Sequence, residues 1–390
     1  MKALTFDRKP VRYAAAMVAG RLSPGAGARV GPLELDDIDE PRLPGDGWVR
    51  VRPRLAGICG SDLATIDGHS SRYFEPIVSF PFVPGHEVVG ELDDGSRVVL
   101  EPVLGCAARG IDPPCDACAR TDVGNCERVA FGHVKPGLQT GFCKSTGGGW
   151  GTALVAHTSQ LHAVPDDVTD DDAVMVEPTA CAIHGVYGLT DGTEPPGTVV
   201  VLGAGTLGLL TIAALKTFVR PGTIVAVAKH PEQRRWAREL GADVLVEPGE
   251  IRRGVRRLTG SHEYGDVLSG GADVVVDCVG ASSSVADAIA VTKPTGRVHL
   301  VGMAGDTNVD LTPLWHKEVA LVGAYAYGRE HDGRRTFDLA FGLVRERQLG
   351  RLVTATYPLD RYADAIAHAA NAGARGAVKI AFDLTMEKSR

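Results

Sequence analysis

The sequence predicts an α/β protein of two parts: a doubly wound parallel-sheet unit in the second half and a β-rich, irregular part in the first. Three observations predict it. From Thr198 onward, short apolar runs alternate with helix-patterned segments. A Gly-x-Gly-x-x-Gly turn stands between the first such run and the first such helix. Before about Pro178 the chain carries only short β-like runs broken by Gly, Pro and Asp. Strands alternating with helices imply a parallel sheet covered on both faces.

The 390 residues hold about two domains on a prior of roughly 150 residues each. Either can bury a full core. The chain is 44% hydrophobic and 23% charged, with no low-complexity tract. Its net charge of -7 argues against nucleic acid or an anionic membrane as partner. The longest N-terminal apolar run, Ala14 to Gly20, is too short for a signal segment or a membrane span. The expected location is the cytoplasm. Thiols stay reduced there, so clustered cysteines point to metal before disulfides.

Taken in order, the β-like runs of the first part are Trp48 to Arg52, Val83 to Leu92, Arg97 to Val103 and Ala153 to Val164. No long amphipathic helix is expected among them. The second part reads TVVVLGAG, TLGLLTIAALKTF, TIVAVA, PEQRRWARELG, DVLVEP, ADVVVDCVG, SSVADAIAVTK, GRVHLVGM and VALVGAYAYG, strand and helix by turns. The last sixty or so residues are mixed, with one helix-like stretch at Asp360 to Ala370. There is no internal repeat.

The glycine turn carries the first chemistry. Val199 to Leu202 is an apolar strand, GAGTLG follows, and an apolar helix begins at Leu207. In this setting Gly203 permits the tight turn, Gly205 lets a pyrophosphate approach the backbone, and Gly208 lets helix and strand pack closely. Thr206 and Leu207 open the helix, whose N-terminus offers N–H groups to phosphate. The alternative is a tight turn that binds nothing. An acidic residue about 20 positions on would bond a ribose 2′-OH. That place is Ala228, followed by Lys229 and His230, with Arg234 a helical turn further. A missing carboxylate and local positive charge favour NADP over NAD. The same charges also suit the solvated face of a helix.

Three pieces ahead of this unit carry good zinc ligands: GICGSD with Cys59, PGHEVVG with His86 and Glu87, and VEPTACAIHG with Glu177. Catalytic zinc takes about three protein ligands and keeps one open position. Each piece alone has a bland reading, a buried thiol or a surface His-Glu pair. Their co-occurrence ahead of a dinucleotide unit is what makes chance a poor explanation.

With these motifs the chain resembles the zinc-dependent medium-chain dehydrogenase/reductase (alcohol dehydrogenase) superfamily, closest to its sorbitol/threonine dehydrogenase-like branch. The resemblance runs from MKAL through GICGSDL, PGHEVVG, the cysteine lobe, EP and GAGTLG to the C-terminal portion. It implies a GroES-like β-rich catalytic domain at 1–183 and 326–390, with a Rossmann domain at 184–325 between them. It implies Cys59 and His86 as zinc ligands. Glu177 matches the position that completes the metal shell or holds its water, and Glu87 a residue that ligates in some members only. Ser61 matches the hydroxyl that accepts the substrate's proton. Many members carry a His five residues after the first zinc Cys; here that place is Ala64, so the relay ends elsewhere, through ribose hydroxyls, water or His69, though His69 reads more simply as a surface residue.

Cys115, Cys118 and Cys126 have the spacing with which the family's structural-zinc lobe ends. The usual first ligand lies three positions before the next Cys. Here the candidate is Cys106, with AARGIDPP filling the gap, so the lobe spans about 104–128. Four sulfurs about 2.3 Å from zinc would close it. A redox reading of Cys115 and Cys118 lacks a βα element to present the pair. Cys143, Cys181 and Cys278 read as structural. Cys143 lies in an insertion, Thr140 to Gly151, where a substrate-pocket role stays open.

The implied activity is hydride transfer between a secondary alcohol, polyol or sugar-like substrate and NAD(P), with zinc polarising the oxygen. Two other readings stand beside it: an NADPH-dependent carbonyl or activated-alkene reductase, and a non-catalytic zinc- and nucleotide-binding protein. Substrate residues fall on the loop Asp67 to Phe80 and near Trp150 and Trp315. Tyr73, Phe74 and Trp315 suit an apolar pocket, but packing explains aromatics more often. The resemblance implies a homodimer or homotetramer joined edge to edge through GRVHLVGM and VALVGAYAYG.

Overall fold

The computed structural model describes residues 1–190 and 194–389. The first strands are β1 (Lys2–Phe6), β2 (Leu33–Asp37), β3 (Trp48–Gly57), β4 (Val88–Glu91), β5 (Arg97–Leu100), β6 (Leu154–His157) and β7 (Leu161–Ala163). There follow β8 (Thr198–Leu202), β9 (Thr223–Val227), β10 (Val244–Val246), β11 (Glu263–Tyr264), β12 (Val267–Leu268), β13 (Ala272–Asp277), β14 (Thr292–Leu300) and β15 (Ala320–Gly323). The chain ends with β16 (Val353–Tyr357) and β17 (Lys379–Asp383).

Contacts divide the chain into two compact units. The first comprises Met1–Glu177, Tyr327–Arg329 and Val344–Arg390; the second comprises Pro178–Ala326 and Glu330–Leu343.

The first unit is built on a sheet ordered β16-β17-β3-β4-β5-β7. The ten-residue β3 serves two partners. Its first half pairs with β6, from Trp48 to Val51, and its second half with β4 and β17. Pro53 donates no ladder hydrogen bond, and the register with β4 shifts between Pro53 and Leu55. Leu4, Val51, Phe82, Val88, Trp150 and Phe382 are among the side chains that close the core.

The helix Pro10–Leu22 lies in the part where no long amphipathic helix is expected, and it is not amphipathic. Only Ala16 and Gly20 are buried in it, while Val11, Val18 and Leu22 face solvent. It buries no apolar stripe, so no helical period marks it in the sequence. Asp67 docks the segment that follows it, accepting hydrogen bonds from the N–H groups of Gly25 at 2.7 Å and Gly27 at 2.9 Å.

The second unit is a six-stranded parallel sheet ordered β10-β9-β8-β13-β14-β15. Val199 to Leu202, Ile224 to Val227 and Val274 to Val276 are buried, as strands covered on both faces must be. The chain runs outward from β8 in one direction and from β13 in the other. This is the doubly wound order, and its switch point lies between β8 and β13. Among the elements that escape the sequence reading are the helix Ile251–Thr259, the hairpin β11-β12, the helix Thr312–His316 and the helix Thr336–Arg347, whose last four residues belong to the first unit. Among the described residues no helix is long and apolar enough to cross a membrane.

Candidate functional site

Cys59 follows β3 by two residues and caps the helix Gly60–Ile66. Asp62, three positions on, closes a capping box by accepting from the Cys59 N–H at 3.0 Å. The same buried carboxylate presents Oδ1 to His86 Nδ1 at 3.5 Å. His86 and Glu87 lie just ahead of β4. A carboxylate at Nδ1 orients the ring and leaves Nε2 for a metal. Burial would lower the His86 pKa, but Asp62 and Cys59 hold it well above its usual value.

Glu87 faces the other way. Its carboxylate is ion-paired with Lys379 on β17, both groups being buried. Lys379 also donates to the Ile58 carbonyl at 3.1 Å. Gly57 is required here, since a Cβ would come 2.0 Å from Glu87 Oε2. Glu177 is buried and accepts from the Tyr327 hydroxyl at 3.2 Å. Burial pushes its carboxyl up to about 7, against the pull of the His86 and Lys379 cations.

Buried His86, Glu87 and Glu177 and half-buried Cys59 therefore share one neighbourhood of the first unit. They do not close on a point: among the described residues only the four lobe cysteines bring ligand atoms within 4.8 Å of one another. The donor set nevertheless fits a zinc with an open position. One thiol, one imidazole whose Nδ1 faces the Asp62 carboxylate, and one carboxyl of raised pKa are present. Glu87 is the member the structure turns away, toward Lys379. Ser61 is half-buried in the first turn after Cys59, and His69 is exposed.

Cys106, Cys115, Cys118 and Cys126 form the closed group. Cys106 Sγ lies 3.8 Å from Cys126 Sγ, and Cys115 Sγ 4.0 Å from it. Those spacings are about twice a disulfide bond. They match sulfurs at the corners of a tetrahedron about 2.3 Å from a zinc. Backbone N–H groups already point at the sulfurs: Cys106 to Cys118, Cys115 to Cys106 and Arg128 to Cys126, each at 3.4 Å. The long gap is taken up by a turn in which the Arg109 and Ile111 N–H groups both bond the Cys106 carbonyl.

In the second unit the glycine turn has the geometry a dinucleotide needs. Gly203 has φ +85°, and a Cβ on Gly208 would come 1.8 Å from the Gly203 carbonyl. A Cβ on Gly205 would meet nothing within 4 Å, so that side is open to a phosphate. The helix Thr206–Ala214 starts there without a side-chain cap hydrogen bond, and its N-terminus is the end that favours a phosphate. Ala228 is buried at the end of β9, Lys229 is exposed, and His230 caps the helix Pro231–Leu240. Arg234 Nη1 lies 3.4 Å from the Ala228 carbonyl and 3.8 Å from Glu247.

Sequence reasoning passed over Asp62, Lys379, Tyr327 and Phe142. Asp62 was findable, because it stands at the capping-box position after Cys59. Lys379 and Tyr327 lie 292 (379 − 87) and 150 residues from their partners and carry no local signal. Phe142 belongs to the insertion and packs its ring 5.8 Å from His86 and 5.3 Å from Phe82. Cys143 beside it is buried and donates to the Lys135 carbonyl, a packing role. Trp150 is also a core residue: its Nε1 donates to the Gly57 carbonyl at 3.2 Å and its ring meets Phe382 edge-on. Tyr73 and Trp315 are 77% and 67% exposed.

Comparison with known proteins agrees with this layout. Residues 45–166 match the alcohol dehydrogenase GroES-like domain and residues 206–342 the zinc-binding dehydrogenase domain. An L-idonate 5-dehydrogenase of Vitis vinifera is 28% identical, over 86% of this chain and 88% of its own. A sorbitol dehydrogenase of Arabidopsis thaliana is likewise 28% identical, with the same two coverages. Among solved structures, an alcohol dehydrogenase of Escherichia coli CFT073 complexed with NADH is similar at a TM-score of 0.71 and 22% identity. That match covers 98% of this chain and 99% of the other.

Proposed function

The chain belongs to the zinc-dependent medium-chain dehydrogenase/reductase family, in its sorbitol dehydrogenase-like branch, and on that premise we propose that it oxidises a secondary hydroxyl of a polyol or sugar-like substrate with NADP as preferred acceptor. It is an NAD(P)-dependent zinc oxidoreductase. The observation that carries the site assignment is the neighbourhood of half-buried Cys59 with buried His86 and Glu177, set beside Asp62 and Tyr327, while the substrate class rests on the polyol dehydrogenases the chain resembles.

In this reading the β-rich unit holds the metal and the parallel-sheet unit holds the nucleotide. Cys59, His86 and Glu177 would hold the catalytic zinc. Zinc supplies Lewis-acid polarisation of an alcohol or carbonyl oxygen. The nicotinamide supplies the hydride acceptor or donor. Asp62 keeps the His86 ring in one orientation. Tyr327 donates a hydrogen bond to Glu177 and fixes its carboxyl. Lys379 neutralises Glu87, which acts as a supporting charge. Ser61 would take the substrate's proton, and because Ala64 has no group to pass it on, Ser61 would give it up to water. Cys106, Cys115, Cys118 and Cys126 would hold a second, structural zinc.

The NADP preference rests on Ala228, which leaves no carboxylate for a ribose 2′-OH, and on Lys229, His230 and Arg234 around it. The same residues serve an NADPH-dependent reductase acting on a carbonyl or activated alkene, which is the second reading. All four residues of the edge strand β15 are exposed, Leu321 and Val322 at 41% and 39%. An unpaired apolar edge of this kind supports a homodimer, or a homotetramer built from it, joined through that strand. A cytoplasmic location fits the free thiols.

The test offers zinc-loaded protein a panel of polyols, sugars, secondary alcohols and the matching carbonyls, each with NAD(H) and NADP(H), and follows nicotinamide absorbance. Oxidation of a polyol with NADP at higher kcat/KM than with NAD is expected. Turnover confined to carbonyls or alkenes would favour the second reading.

A further inference from the structure

We infer that Arg109 is the counter-cation of the four-cysteine metal site, and that retention of metal by this lobe depends on its positive charge. The inference rests on reading Cys106, Cys115, Cys118 and Cys126 as a zinc site. It goes beyond that reading in assigning the charge balance to a residue that is neither a ligand nor part of the ligand motif.

Arg109 lies inside the eight-residue stretch that separates Cys106 from Cys115. It is fully buried. Its Nε donates to the Leu104 carbonyl at 2.9 Å, Nη1 to the Phe131 carbonyl at 2.9 Å, and Nη2 to the Gly137 carbonyl. Leu104 precedes the first cysteine, while Phe131 and Gly137 follow the last. One guanidinium thus ties together the two ends of the lobe. The backbone joins in, since the His133 N–H donates to the Arg109 carbonyl at 3.1 Å.

One neutral carbonyl meets each guanidinium nitrogen, and none of the three balances its charge. Among the described residues no carboxylate pairs with Arg109. Its own N–H donates to the Cys106 carbonyl at 3.1 Å, which places the residue one turn from the first of the four cysteines. A buried, unpaired cation is strongly unfavourable. Four thiolates around a divalent zinc carry a net charge of minus two, a buried excess of the opposite sign. The two excesses occupy the same lobe, and each reduces the cost of the other. Loss of either makes the remaining one harder to bury.

A role as a clamp and a role as a charge make different predictions, because lysine keeps the charge and loses the fork of donors. Full-length protein carrying both zincs is challenged with the chromogenic chelator 4-(2-pyridylazo)resorcinol, and zinc release is followed over time. Cys115→Ser identifies the phase that belongs to the lobe. Arg109→Met should speed that phase by roughly tenfold to a hundredfold, the usual range for supporting residues at metal sites. It should leave the other phase unchanged. Arg109→Lys should stay within about threefold of the wild type in the same comparison. Equal acceleration in both variants, or none in Arg109→Met, overturns the inference. Should Arg109→Met not fold, Arg109→Lys alone decides: retention of the slow phase supports the charge, its loss refutes it. A wild-type protein with no zinc sensitive to Cys115→Ser would remove the four-cysteine reading itself, and the inference with it.

Discussion

The Lys379 ammonium, on the penultimate stretch of the chain, is ion-paired with the Glu87 carboxylate beside the candidate metal ligand His86, and both groups are buried. The pair fixes a carboxylate that would otherwise compete for the metal. Lys379→Met leaves Glu87 charged and unpartnered in the core. A loss of about 3–5 kcal/mol in urea unfolding is expected, because breaking a buried pair strands the remaining charge. The double variant Lys379→Met/Glu87→Gln should recover at least half of that loss. A single variant as stable as the wild type would rule out a structural role for the pair.

Asp62→Asn keeps the capping geometry at Cys59 but replaces the charge facing His86 with an amide. Zinc affinity at the catalytic site should fall by about tenfold to a hundredfold. Competition with a chelator of known affinity measures it. Any zinc held by Cys106, Cys115, Cys118 and Cys126 should be unaffected, because no contact joins those cysteines to Asp62 among the described residues.

The two later glycines of the turn should separate binding from folding. Gly205→Ala meets open space in the protein, so thermal stability should change by less than about 1 kcal/mol. Its methyl would sit where a pyrophosphate approaches, so cofactor Kd should rise by at least about tenfold. Gly208→Ala meets the Gly203 carbonyl at 1.8 Å and should cost about 2 kcal/mol or more in stability. Calorimetry with and without NADPH distinguishes the two.

Much of the parallel-sheet unit was legible because its information is local. TVVVL, TIVAV and ADVVVD are continuous apolar runs, and the glycine turn marks where the first meets its helix. The helix Ile251–Thr259 was legible but passed over: Ile251, Val255 and Leu258 stand at helical spacing among four arginines. The helix Pro10–Leu22 was hidden because its apolar residues face outward. At the candidate site, Cys59, His86, Glu177 and the four lobe cysteines each stand in a short motif. Lys379 and Tyr327 reach Glu87 and Glu177 only through folding, and nothing near them in sequence marks the contact. Glu87 shows the limit most directly, since its motif offers a ligand and the structure gives it a lysine.

Asp273 supports the start of β8 in the second unit. Its Oδ2 accepts from the Thr198 N–H at 2.7 Å, and Lys293 Nζ bonds Oδ1 at 2.5 Å. Burial alone would raise its pKa, but Lys293 and the Thr198 N–H outweigh it and hold the carboxyl below its ordinary 3.8. A depressed carboxylate stabilises the fold above that ordinary value and loses its contribution as pH falls through the lower, folded one. Asp273→Asn should therefore cost about 1–2 kcal/mol at neutral pH, with the difference from wild type shrinking below pH 3.8. Chemical denaturation across pH follows the difference.

The central claim is that hydride transfer takes place at the site formed by Cys59, His86 and Glu177. The most direct measurement supplies a polyol deuterated at its carbinol carbons and follows deuterium into the reduced nicotinamide, in wild-type protein and in Cys59→Ser at matched lobe-zinc content. The account predicts labelled cofactor from the wild type and a loss of at least about a thousandfold in Cys59→Ser. Equal label from both proteins would place the reaction elsewhere and contradict it.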